Sequence, residues 1–190
     1  MRRSVTRPSV LFVALLAAAG AFADDPLLRR YELPNRDTLE LVLPAGWTDE
    51  FEQPAGGGPP TIAIAVAAGG PAQIFVTPKW AEPTDKEVRE LPLLRDAVRE
   101  LAERIQPEAA EPYLEVRPLE GANGAGYYFS ATEREPKADG FKFMSQGALQ
   151  AGGLTLWFVI LTNEGQDTVA VQALGMLQSA VHRRTGLDQL

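Results

Sequence analysis

Residues 38–43 read T-L-E-L-V-L and follow the turn formers Pro34, Asn35 and Asp37. Alternation after a turn predicts a strand, with Leu39, Leu41 and Leu43 on one face and Glu40 and Val42 on the other. Pro44 and Gly46 end it. Trp47 opens a stretch read as irregular, which closes in Q-P-A-G-G-G-P-P at residues 53–60, a run that neither helix nor strand accepts. Alternation resumes at residues 61–67 and 72–77 on either side of A-G-G-P, which predicts a hairpin.

The period then changes. T-D-K-E at residues 84–87 has the form of a capping box, in which the Thr hydroxyl and the Glu carboxylate satisfy free backbone donors, so a helix is predicted from Asp85. Leu91, Leu94, Ala97, Val98, Leu101 and Ile105 recur at steps of three and four and form its apolar stripe. Pro92 predicts a kink or a split in this helix, and Pro107 its end. Period two returns at residues 113–117, 126–132, 141–149 and 154–162, four strands in succession whose last two connections suit antiparallel neighbours. In L-T-L-W-F-V-I-L at residues 154–161 both alternating sets are apolar, as in a central strand covered on both faces. Trp157 and Phe158 are therefore expected on opposite faces, each against a different layer. A second helix is predicted near residues 167–182, with Asp167 as N-cap and Val169, Ala173, Met176, Leu177 and Ala180 on one face.

A central strand that needs cover on two sides, and two amphipathic helices to supply it, imply an α+β fold: an antiparallel sheet of six to seven strands packed between two helices. The chain before residue 24 stands apart. Arg2, Arg3 and Arg7 precede an apolar run, and Ala21-Phe22-Ala23 gives the small-x-small pattern a signal peptidase accepts, with Asp24 next. Residues 1–23 read as a cleavable signal peptide and residues 24–190 as one domain. An uncleaved anchor fits poorly, because a run of about 14 apolar residues is short of the ~20 that cross a bilayer. No stable membrane insertion is expected after cleavage, and the reading places the protein in the periplasm or outside the cell.

Cleavage removes three Arg and no acid, so the balance of 18 basic and 25 acidic residues becomes 15 and 25, and the net charge moves from −7 to −10. That surface lacks the basic patch nucleic acid demands. With no cysteine in an exported chain, stability must come from the core and not from disulfides.

Candidate chemistry is sparse. His182 is the single histidine, beside Arg183 and Arg184 at the expected end of the last helix, where a cation complements the helix dipole. Glu133, Glu135 and Asp139 share one connection with Arg134 and Lys137, a mixture typical of a solvated loop and without calcium-loop spacing. Gly56, Gly57 and Gly58 lack the Lys-Ser/Thr of a phosphate loop. No catalytic residue, metal ligand or cofactor site is assigned. The aromatic and proline-rich positions Trp47, Phe51, Gln53, Pro54, Pro59, Pro60 and Trp80 form the candidate partner surface, because aromatics carry interface energy and connections carry binding residues. Against this stands the plainer reading that both tryptophans plug the end of the sheet.

The early L-E-L-V-L-P-A-G-W, the hairpin before a long helix, and L-T-L-W-F-V-I-L-T-N running into the last helix resemble the PsbP-like and Mog-like sandwich superfamily over most of residues 31–182. The resemblance implies that fold and, since the superfamily is known for docking and accessory work, a non-enzymatic role through protein contacts with a partner in the cell envelope. It carries no catalytic residue onto this chain. The alternative is a small-ligand or metal-binding protein, or a carboxylate-dependent enzyme, with a pocket between helix and sheet.

Overall fold

The computed structural model describes residues 25–33, 37–66, 70–80 and 91–184. Among these residues ten strands and two helices succeed one another: β1 Leu27–Glu32, β2 Thr38–Leu43, β3 Trp47–Glu52, β4 Thr61–Val66, β5 Gln73–Trp80, α1 Leu91–Ile105, β6 Arg117–Gly121, β7 Gly124–Thr132, β8 Phe143–Ala151, β9 Leu154–Thr162, α2 Asp167–Gln178 and β10 Val181–Arg183. Seven strands form one antiparallel sheet in the order β3-β4-β5-β9-β8-β7-β6, and β1-β2-β10 form a second, three-stranded one.

The large sheet lies between the two helices, as the pattern predicts, but the two covers differ. On one face Leu154, Leu156, Phe158 and Ile160 of β9 meet Leu39, Leu41 and Leu43 of β2 and Ala173, Met176 and Leu177 of α2, and this is the larger core. On the other, Leu94, Val98 and Ala102 of α1 pack on Phe129 and Ala131 of β7 and Ala148 of β8. Trp157 and Phe158 face opposite layers, as expected. Phe158 is 2% exposed, whereas Trp157 is only half-buried.

Several elements depart from the sequence reading. Trp47 begins β3 and not an irregular stretch. Its alternation of Trp47, Asp49 and Phe51 on the core face is broken by an acid, and Arg29 of β1 compensates it, with Nε 2.7 Å from the Asp49 carboxylate. The reading also lacked β1, whose L-L-R-R-Y-E does not alternate, and β10, too short to show a period. Residues 113–116 form no strand. There Gln106 takes the backbone groups a neighbour strand would have held, donating to the Glu111 carbonyl at 2.7 Å and accepting from the Leu114 amide at 2.8 Å. Tyr113 consequently stands 70% exposed. The N-cap position of α2 falls on Gln166, one residue before Asp167 and without a side-chain cap, and the helix stops at Gln178, so His182 belongs to β10. The T-D-K-E box and residues 1–24 lie outside the described residues.

Candidate functional site

Helix α1 covers only one side of its sheet face. Over β7 and β8 Phe129 and Ala148 are fully buried beneath it, with Tyr127 and Met144 partly so. Farther along the same face the alternating positions are only partly covered: Trp157 and Val159 of β9, Phe75 and Thr77 of β5, Ala63 of β4. Strand register places Phe75 opposite Val159 and Thr77 opposite Trp157, so these side chains form a continuous floor. A groove of about 420 Å³ follows this floor beside the helix, bounded by Lys79, Arg104, Leu101 and Gln146. A second hollow of about 380 Å³ continues it toward β3, where Thr48, Glu50 and Gln73 are polar. The Lys79 ammonium lies 5.8 Å from the Trp157 ring centroid, within range for a cation held on a π face.

The candidate residues chosen from sequence are not one surface. Trp47 pairs with Val66 and is 8% exposed, inside the larger core. Trp80 lies three residues beyond the Thr77 level that faces Thr61, at the opposite end of the strands, roughly 25 Å from the Trp47 level at ~3.3 Å per residue. Phe51 packs against the core with its ring 5.8 Å from that of Tyr31. Gln53, Pro54 and Pro59 are exposed and Pro60 is buried, with Gln53 Nε2 donating to the Gly58 carbonyl at 3.1 Å and closing the connection on itself. Residues 53–60 and Trp80 thus share one sheet end, without Trp47. Sequence reasoning missed the groove residues because Phe75, Thr77, Trp157 and Val159 read as ordinary strand interior; which face a helix leaves open is set by its position, not by strand pattern.

The titratable groups are arranged for structure. The His182 side chain is 2% exposed; its Nδ1 accepts from the Gly153 amide at 3.0 Å and its Nε2 lies 3.1 Å from the Asp37 carboxylate, in a contact poorly aligned for a hydrogen bond. With one nitrogen held by an amide and the other facing a carboxylate, the ring has no free lone pair for general-base work. This corrects the dipole-complementing surface histidine: the residue is a buried strap between β10 and the β8–β9 turn. The Glu111 carboxylate accepts from both the amide and the hydroxyl of Thr132, at 3.0 Å and 2.6 Å. Burial opposes its ionisation, but those Thr132 bonds prevail and hold its pKa below the ordinary value. The Tyr31 hydroxyl is pushed well up, first by burial and then by the Asp49 carboxylate beside it.

Glu133, Glu135 and Asp139 project from an exposed connection, and among the described residues no three acidic or histidine side chains converge on a point that would hold a metal. A hollow of about 460 Å³ lies between α1 and Trp157, lined by Leu93, Ala97, Glu100 and Glu103, and a smaller one of about 130 Å³ lies at the end of α1 near Ile105, Met144 and Leu161. No helix among the described residues is long and apolar enough to cross a membrane.

No protein-family model matches the chain, and no curated protein matches it by sequence. Two solved structures share its architecture. The solution structure of CyanoP, the cyanobacterial PsbP of Synechocystis sp. PCC 6803, aligns with a TM-score of 0.50 at 15% identity, over 87% of this chain and 97% of that one. The chain has a PsbP-like fold. The same fold recurs in a crystal structure from Bacteroides thetaiotaomicron VPI-5482, with a TM-score of 0.52 at 9% identity, over 83% of this chain. This chain spans about half of that protein, 49% of its length. At such identities the PsbP-like likeness concerns architecture alone, and the groove stands on its own geometry.

Proposed function

We propose that this protein is an exported accessory protein that works by binding another protein of the cell envelope, with no chemistry of its own and no cofactor. The observation that carries the reading is the open half of the large sheet, where Phe75, Trp157 and Val159 are left half-covered while Phe129 and Ala148 under α1 and Leu156, Phe158 and Ile160 on the opposite face are buried. A half-exposed aromatic and aliphatic floor with a polar rim is the usual composition of an interface core. The PsbP-like fold is compatible with such work, and the A-x-A leader supports export. Kinship with Mog-like sandwiches is part of the same proposal and rests on the order of elements.

A small ligand is the second reading, favoured by a groove volume within the range of ligand sites. The groove is open along its length, however, and a ligand there would leave much of its surface in water. A photo-crosslinking side chain placed at Thr77 tests the choice, with the same group at Val171, exposed on the outer side of α2, as control. In the exporting cell the Thr77 form should give a discrete protein adduct and the Val171 form none. Adducts at neither position, or equally at both, would overturn the reading.

A further inference from the structure

An open sheet ends in two edge strands, whose outward amides and carbonyls face solvent unless something takes them. In the large sheet these are β6 and β3. β6 is closed: Pro118 has no amide to offer, and the end of α2 meets this edge, with Gln178 Nε2 donating to the Glu120 carbonyl at 2.8 Å. β3 is not closed. It pairs with β4 on one side, and among the described residues its backbone makes one hydrogen bond outside that ladder, from the Trp47 amide to the Pro44 carbonyl at 3.3 Å. Beyond Trp47, every second residue of β3 therefore turns a free amide and carbonyl outward.

The space beside that edge has two unlike sides. Toward the α1 face Thr48, Glu50 and Glu52 are exposed, and their β4 neighbours Ala65, Ala63 and Thr61 carry no charge. On the opposite face β1 runs over β3, with Arg29 on Asp49 and the Tyr31 ring 5.8 Å from that of Phe51. Leu27, two residues before Arg29, lies on the same side of β1, yet it stands 47% exposed. It leaves an apolar contact half open beside the free edge.

We infer that an extended segment of the partner protein adds to β3 as a further strand, with Lys or Arg opposite Glu50 and Glu52 on one face and apolar side chains against Leu27 on the other; this rests on the docking reading above, since β3 borders the open half of the sheet, and supplies the partner's chemistry. An extended chain matches a row of free amides and carbonyls, whereas a helix has already bonded its own. A second copy of this chain is the poorer occupant. The antiparallel registers that align most of β3 with its copy centre on Asp49 or on Glu50, and each sets a carboxylate against its own image.

The test uses the chain without its leader and a displayed library of extended peptides, about eight residues long to match one strand and randomised throughout. Selection on the wild-type chain should enrich an alternating pattern, apolar at one set of positions and Lys or Arg at the other. With a selected peptide bound, alternate amides of β3 should exchange with deuterium about tenfold more slowly, as new ladder bonds require. Glu50→Lys/Glu52→Lys should bind that peptide about tenfold more weakly and should itself select Asp or Glu in place of Lys or Arg. Both glutamates are exposed, so thermal unfolding of the variant should match wild type. No enrichment over empty support, unchanged exchange in β3 with peptide bound, or the same charges selected on both chains would overturn the assignment. So would protection of the β3 amides in the concentrated wild-type chain alone, which would give the edge to a second copy. A discrete Thr77 adduct in cells beside a failed selection would reject the added strand and leave the docking reading standing, whereas an absent Thr77 adduct rejects the docking reading itself.

Discussion

Phe158 and Trp157 are neighbours on β9 and point to opposite faces, yet they contribute differently. Phe158 fills the larger core, and Phe158→Ala should cost about 3–5 kcal/mol, much of a typical domain's stability. Trp157 keeps one side toward solvent, so Trp157→Ala should cost about 1–2 kcal/mol, in proportion to the smaller area it withdraws from water. Urea unfolding separates the two; equal losses would mean the face is covered after all. Elsewhere single residues hold elements together. His182→Ala leaves the Gly153 amide and the Asp37 carboxylate without their partner, and a loss of about 1–3 kcal/mol is expected. Glu111 gives a pH signature. Its folded pKa lies below the ordinary 4.5, so its stabilisation is fully present above that value and is lost as pH falls through the lower folded value. Glu111→Gln should therefore flatten the acid limb of the stability curve below about pH 4.5 and leave its shape near neutrality unchanged; an unaltered acid limb contradicts this.

Strands with a clean period were legible and those stabilised by a distant partner were not. Residues 38–43, 61–67, 72–77, 126–132 and 154–162 alternate, and each became a strand within a few residues of its predicted ends. In contrast β3 carries Asp49 on its core face, and Arg29 and Tyr31 of β1 beside it make that tolerable, a compensation no local window contains. The helix stripe was read with its centre displaced: Leu94, Val98 and Ala102 are buried, while Leu91, assigned to the stripe, is exposed. The last helix was read too long because Val181 and His182 continue its apolar run, although β10 pairs them with β2. Close pairing also leaves a mark at Gly147 of β8. A Cβ there would press into the Tyr127 carbonyl and the Tyr128 backbone of β7. Gly147→Val should accordingly cost at least the upper end of about 1–3 kcal/mol, or prevent folding, and Gly140→Ala, in a loose connection, far less. Circular dichroism during thermal unfolding compares them.

At the scale of the molecule, the order of layers was readable and the unequal cover was not. Two amphipathic helices and a two-sided central strand call for a sandwich, but no pattern says that one helix will lie over β7 and β8 and leave β9 and β5 half-bare. The residues chosen from sequence did not come together as one surface, since Trp47 lies in the core; aromatics near breakers attracted notice, while the half-covered Phe75 and Trp157 looked like strand interior. Export remains the part argued from sequence alone, and the mass of the protein recovered from the cell envelope should correspond to a chain beginning at Asp24. The central claim, that the open half of the sheet is covered by a partner in the cell, is tested most directly by lysine footprinting with an amine-reactive reagent. Lys79 lies at the groove and Lys137 in the exposed connection of residues 133–140. Both should react in the purified chain, and in the intact envelope Lys79 should be protected while Lys137 reacts as before; a Lys79 equally reactive in both settings would contradict the claim.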